Sequence, residues 1–291
     1  MKLIWKFNLV LLGIFALGFL VAGYVSYKAL QANAREEVLQ HARIMMEAAL
    51  ATRQYTASQV KPLLDTQMQY KFLPQTVPAY AATEQFNELR KKHPDYNYKE
   101  ATLNPTNPRD RAADWEADVV NTFRSTSTTT EIVGERDTPT GRTLYLSRPI
   151  QIKNAACLPC HTTVEAAPKT MIDLYGPANG FGWKMDEIIG AQIVSVPMTV
   201  PIERANKTFT AFMGSLAAVF LAIFVLLNVM LYTMVIRRVT NLAGIADEVS
   251  LGKFDAGEFR TSSRDEIGVL TEARGRIKAS LVQAMKMLEG S

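Results

Sequence analysis

Two long apolar runs frame the pattern of this chain. From Phe7 to Tyr27 only Asn8 and Ser26 are strongly polar, and a run of that length spans a bilayer as a helix. Phe209 to Ile236 is longer and is interrupted chiefly by Asn228. Between them the period changes. Leu30, Ala34, Val38, Ala42, Met45 and Ala49 recur at spacings of three and four, predicting an amphipathic helix from Lys28 to Leu64 that Pro62 interrupts near its end. At 1.5 Å per residue it would be a rod of roughly 50 Å, able to run on from the first span.

Turn residues dominate from Pro74 to Pro108. A helix around Ala82 to Lys92 presents Phe86 and Leu89 on one side, and Tyr96 to Leu103 reads as a strand. Asn104 to Pro108 stops that strand, because proline fixes φ and offers the ladder no donor. Trp115, Val119 and Phe123 predict a helix over Ala112 to Phe123, and Thr130 to Glu135 and Thr143 to Ile150 predict a hairpin turning at Asp137 to Gly141. The glycine-rich Gly176 to Trp183 lacks the strand-before, helix-after setting of a phosphate loop and suits a turn beside a bulky planar ligand. Ile188 to Val196 is a last strand, stopped by Pro197, and Pro201 to Lys207 leads into the second run. Short antiparallel strands flanked by helices make an α+β domain.

Charge adds little to this. The formal net charge of +4 resolves, between residues 28 and 208, into 21 Lys and Arg against 20 Asp and Glu. No basic patch interleaved with aromatics appears, so nucleic-acid binding is unsupported. Lys2 and Lys6 would suit a signal peptide, yet the apolar run exceeds a typical signal core and no small-x-small cleavage site follows; an uncleaved anchor is expected. No catalytic constellation argues for an enzyme.

The chemistry is concentrated in Cys157-Leu158-Pro159-Cys160-His161, which holds both cysteines of the chain and one of its three histidines. C-x-x-C-H is the attachment signature of a c-type haem: two thiolates add to the porphyrin vinyl groups and the adjacent imidazole ligates the iron. One covalent haem c is expected, on Cys157 and Cys160, with His161 as proximal metal ligand. A redox dithiol is the alternative, although no βαβ unit surrounds the motif. Zinc is a further one, poorly supplied because His41 and His93 are distant in sequence. For the sixth iron position, methionine, histidine, water or an exchangeable gas remain, since both thiols are consumed. Met45, Met46 and His41 on the long helix and His93 are the residue candidates, Met46 and His41 being preferred. Arg142 and Arg148, flanking the strand that leads to the motif, are candidate propionate partners.

Haem c is attached outside the bacterial cytoplasm, which puts the motif in the periplasm. With two spans in the inner membrane, both termini are then cytoplasmic. Lys2, Lys6, Arg237 and Arg238 agree with that orientation, although Lys28, Arg204 and Lys207 flank the other side.

Arg53-x-Tyr55-Thr56, the Asn104 to Pro108 segment, the cysteine motif, and Gly176 to Trp183 before Glu187-Ile188-Ile189-Gly190-Ala191 resemble, over roughly residues 35 to 198, the PAS-like c-haem sensor family of bacterial membrane proteins. The resemblance implies a PAS-like sheet with one covalent haem and a role in sensing redox state or a small gas. After Ile236, Leu242, Ile245 and Val249 precede Gly252 and a connector with Phe254 and Phe259. Asp265-Glu266-Ile267-Gly268 then opens a heptad through Leu270, Ile277, Leu281, Ala284 and Leu288. This tail resembles a HAMP linker, without the proline before Leu242 and with Arg274 in the seam; the resemblance implies a parallel four-helix bundle in a homodimer. A generic amphipathic coiled coil is the plainer alternative.

The expected order is a cytoplasmic N-terminus (1–6), transmembrane helix 1 (7–27), a periplasmic PAS-like α+β domain (28–208), transmembrane helix 2 (209–236) and an all-α HAMP coiled-coil region (237–291). The sequence ends at Ser291, so a signal is expected to pass to a separate cytoplasmic protein of the kinase, cyclase or chemotaxis type. The competing expectation is a membrane-anchored periplasmic cytochrome exchanging electrons with a redox partner, which accounts for the haem but not for the tail.

Overall fold

The computed structural model describes residues 3–126, 128–139, 141–253 and 265–289. Contacts divide the chain into two units, Ser26–Phe209 and Met1–Val25 with Thr210–Ser291.

The first unit is built on a four-stranded sheet of β1 (Asn97–Thr102), β2 (Ile132–Thr138), β3 (Gly141–Gln151) and β4 (Ile188–Pro197), in the order β1-β4-β3-β2. All three pairings are antiparallel. The β2–β3 hairpin is tighter than expected, with Thr138 opposite Gly141. Because side chains alternate across a strand, the sheet has two apolar faces. Tyr98, Leu144, Leu146, Val194 and Val196 meet Val38, Ala42, Met46 and Ala49 of α1 (Leu3–Tyr55) on one of them. Ala101, Ala191 and Ile193 meet Val119, Val120 and Phe123 on the other. Helices α2 (Lys61–Tyr70) and α3 (Pro78–Arg90) follow α1, and α4 (Asp114–Ser125) lies between β1 and β2 in sequence. The Glu116 carboxylate of α4 accepts from the Ala113 N–H at 2.8 Å and from Lys99 Nζ at 2.6 Å, which closes the first turn of the helix.

Pro62 does not end the long helix. It sits in the first turn of α2, after a π-helical turn over Thr56–Val60 in which the Lys61 N–H donates to the Thr56 carbonyl. Proline cannot donate to the carbonyl four residues back and its ring crowds it. The hydroxyls of Thr52, Thr56 and Ser58 meanwhile bond to the carbonyls four residues before them. Widening the ladder by one residue relieves both effects and lets the helix continue to Tyr70.

An ion-pair ladder ties α1 to the hairpin. Glu135 is held by Arg35 at 2.8 Å and Arg142 at 2.7 Å; Glu131 is held by Arg43 at 3.3 Å and Arg148 at 3.2 Å. Each carboxylate thus joins one arginine of the helix to one of β3.

In the second unit, α1 residues up to Val25 lie with α7 (Thr199–Met230), a π-helical turn Leu231–Ile236, α8 (Arg237–Ser250) and α9 (Glu266–Glu289). Among the described residues two helices are long and apolar enough to cross a membrane. Phe15 stacks on Phe220 with centroids 4.8 Å apart, so the apolar runs pack on each other. Asp265 caps α9 through the Gly268 N–H at 3.0 Å and pairs with Arg238 at 3.5 Å. Leu242 and Val249 are buried, whereas Leu270, Ile277 and Leu281 are exposed on the single chain. Phe254, Phe259 and the Leu288 side chain lie outside the described residues.

Met46 is completely buried in the core beneath α1. Met46→Ala is expected to cost about 2–5 kcal/mol, the range for emptying a buried methionine site, read as a fall in the thermal unfolding midpoint of the detergent-solubilised protein.

Candidate functional site

The motif follows β3. A β-bulge between Ile150 and Gln151 turns the strand out of the sheet. Asn154 then accepts from the Ala156 N–H at 2.9 Å, and a 3-10 turn (Ala155–Cys157) leads into the single helical turn α5 (Leu158–His161). Both thiols are free and half-buried. Burial pushes the Cys160 thiol up, with the charge of Lys61 opposing.

The glycine-rich turn packs back onto the motif. Gly182 N–H bonds the Thr162 carbonyl at 2.9 Å and Trp183 N–H the His161 carbonyl at 3.1 Å. The Trp183 ring stacks on the His161 imidazole, with centroids 3.9 Å apart and planes inclined by 13°. The Gly180 carbonyl lies 2.7 Å from His161 Nδ1. A carbonyl can only accept, so Nδ1 carries the proton and Nε2 keeps its lone pair for a metal or another acid. Burial lowers the His161 pKa against the opposing Gly180 bond, favouring the neutral imidazole that ligation needs. Gly180 has φ +88°, and a Cβ there would collide with Thr106. The residue therefore has to be glycine for its carbonyl to reach the ring. Asn104 fixes the turn from the other side, accepting from Gly180 N–H and donating to the Phe181 carbonyl, each at 3.2 Å.

Cys157, Cys160 and His161 line one cavity of about 280 Å³. Its walls come from α1 and α2 (Arg53, Lys61, Met68), from the end of β1 and the loop after it (Glu100, Thr106, Asp110), from Ile150 and Ile152, and from α6 (Lys169–Tyr175). Phe72 and Tyr175 close one side edge to face, 5.9 Å apart. Deep in the wall Glu100 is only 4% exposed. It pairs with Arg53 and accepts from the Tyr98 hydroxyl at 2.7 Å, while Gln192 donates to that hydroxyl at 3.1 Å. Burial opposes the Arg53 charge, but Glu100 outweighs it and the guanidinium pKa is raised; burial and Glu100 together push Tyr98 up.

The structure brings only part of the expected set to this cavity. Arg142 and Arg148 do not line it: the ladder to Glu135, Glu131 and Glu47 occupies their guanidiniums. Met46 and His41 do not line it either. Met46 turns inward against the sheet and His41, five residues away on the helix, turns outward and is exposed. Met45 packs beside the core and His93 is exposed after α3. Arg53, Asn104 and Trp183 fell within the segments quoted for the family resemblance, but without roles. Lys61, Asp110, Met68 and Met171, and α6 itself, carried no signal of their own in the sequence.

The geometry is that of a thiol pair and an oriented imidazole facing one partly apolar cavity. The family model described as Tll0287-like matches residues 31–197, and the chain belongs to that family. The crystal structure of the cyanobacterial haem protein Tll0287 is similar at 17% identity and a TM-score of 0.43, covering 55% of this chain and 95% of that one. No curated protein matches.

Asp110 supplies a pH test of the cavity wall. Burial pushes its carboxyl up to about 6, with Arg109 opposing. The folded state then holds a proton that the unfolded chain has released, so stability falls as pH rises through this window. Relative to Asp110→Asn, which stays neutral, the wild type is expected to lose thermal stability between about pH 4 and pH 7 and to level off above. A constant difference across that range would contradict the burial of this carboxyl.

Proposed function

We propose that the chain is a membrane-anchored, PAS-like haem c protein that senses redox state or a small diatomic gas. The observation that carries this reading is the convergence of Cys157, Cys160 and His161 on one cavity, with His161 Nδ1 committed to Gly180. Membership of the Tll0287-like family, to which a protein described as a cyanobacterial haem protein gives its name, supports it.

The donor set fits the group. Two free thiols one helical turn apart would form the thioethers, and His161 Nε2 would be the proximal ligand. Trp183 stacks on the imidazole and Gly180 fixes its rotation, so the ring is oriented in advance. Apolar walls from Ile150, Ile152 and Met171 suit the porphyrin face, and the Arg53–Glu100 pair adds a buried polar end. When bound, haem supplies a one-electron couple and an iron whose remaining position can take an added ligand. The attachment chemistry puts this unit in the periplasm and both ends of the chain in the cytoplasm.

On this reading a change at the haem shifts the domain, and the second span passes the shift to a HAMP-type homodimer and from there to a separate cytoplasmic partner. The exposed seam of Leu270, Ile277 and Leu281 supports a need for a second copy. Electron transfer is the second reading, favoured by the exposure of Ala155 and Ala156, which leaves the motif edge open to a redox partner.

Expressed with cytochrome c maturation, the protein is expected to carry haem that survives denaturing extraction. Cys157→Ala with Cys160→Ala is expected to abolish it, and His161→Ala to change the spectrum of any haem that attaches; a wild type without covalent haem refutes the assignment. Spectra in both redox states, with and without carbon monoxide and nitric oxide, separate gas sensing from redox roles, since a haem indifferent to both gases favours the latter. For the relay, charged substitutions at Ile267 or Leu281 are expected to change partner output while leaving the haem spectrum intact. Output indifferent to both would remove the relay.

A further inference from the structure

We infer that Lys61 is the anion-holding residue of the cavity, pairing with a carboxylate-class anion that arrives with the occupant. The inference rests on the haem reading above and names what that site holds on to.

Its first support is the register of the wall. Arg53 and Lys61 are eight residues apart, and in an unbroken α-helix that spacing would leave Lys61 roughly 80° away from the face of Arg53. The π turn over Thr56–Val60 absorbs one extra residue. Both side chains consequently line the cavity, and Met68, two turns further on, lines it too. The irregular turn thus has a visible result, which is a cation placed against the cavity that Cys157, Cys160 and His161 also line.

Charge bookkeeping is the second support. Each other charged side chain lining the cavity has an opposite partner: Arg53 pairs with Glu100, and Asp110 faces Arg109 at 3.8 Å. Among the described residues Lys61, half-buried in α2, has no carboxylate partner. An ammonium in a partly apolar wall is costly unless an opposite charge joins it. Neither acidic side chain of the wall supplies one, since Glu100 is taken by Arg53 and Tyr98 and Asp110 lies beside Arg109. A compact ammonium with three donors suits a carboxylate. Two sources present that chemistry: the acidic side arms of a covalently held haem, and a small free organic anion entering beside it.

The test is potentiometric titration of the full-length holoprotein in detergent micelles, in anion-poor buffer and then with added sodium formate. Wild type is compared with Lys61→Gln, Lys61→Met and Lys61→Arg. Covalently attached haem certifies that each variant has folded, and the two neutral variants guard against failure of either. If the side arm is the partner, both neutral variants are expected to shift the midpoint potential downward, Lys61→Arg to hold it near wild type, and formate to do nothing. If the partner is a free anion, formate is expected to lower the wild-type potential saturably and to leave the neutral variants unmoved. Equal potentials and equal formate responses in wild type and neutral variants overturn the inference. So does a change of haem spectrum in Lys61→Gln that Lys61→Arg fails to restore, which would make the amine an iron ligand instead. Absence of haem from the wild type is a separate failure, of the haem reading itself, and is seen before any variant is made.

Discussion

The pair of half-buried Arg53 and buried Glu100 is the contact on which the cavity depends. It joins the long helix to the edge strand β1 where the sheet face gives way to the cavity, and Tyr98 and Gln192 extend it across to β4. Two charges leave water there, and the Coulomb attraction with the added hydrogen bonds offsets the desolvation. Such a pair adds little to stability compared with a well-packed apolar substitute. It fixes register instead, because removing Arg53 strands the buried Glu100 carboxylate at a cost of about 3–5 kcal/mol. The helix cannot slide along the sheet without breaking it, so the positions of Lys61 and Met68 follow from the place where Arg53 is anchored.

The ladder through Glu131 and Glu135 divides this labour. It is more exposed, and each exposed pair in it is worth only a fraction of a kcal/mol to about 1 kcal/mol. Taken together the pairs align α1 with the hairpin beside the apolar seam of Val38, Ala42, Met46 and Ala49. That alignment consumes Arg142 and Arg148. Strand arginines near a motif look available in sequence, but the carboxylates of the neighbouring strand segment, joined at Arg148 by Glu47 of the helix, claim them first. The cations left for the cavity come from the helix wall.

Around His161 the polar contacts come from backbone rather than from charged side chains. Gly180 supplies the carbonyl, Gly182 and Trp183 supply amide donors to the motif, and Asn104 holds the turn in place. Backbone groups suit this purpose because their positions are set by φ and ψ, which leaves the imidazole a single tautomer. The positive φ at Gly180 and the close approach of Thr106 show why this segment is glycine-rich.

By itself the sequence determined the periodic elements and the chemistry packed into adjacent residues. The two apolar runs, the long helix, four strands close to their observed limits and the Cys157 to His161 motif were all legible, since each signal lies within one element. Tertiary structure decided whatever needs two elements to meet. Met46 and His41 share one helix, and only the docking of that helix on the sheet shows that neither faces the motif. Pro62 reads as an interruption near the helix end, yet a widened turn over Thr56–Val60 carries the helix past it to Tyr70. Lys61 is one more lysine in the sequence. It becomes a cavity residue only because that widened turn rotates it onto the face of Arg53, and no local pattern of residue types records a rotation.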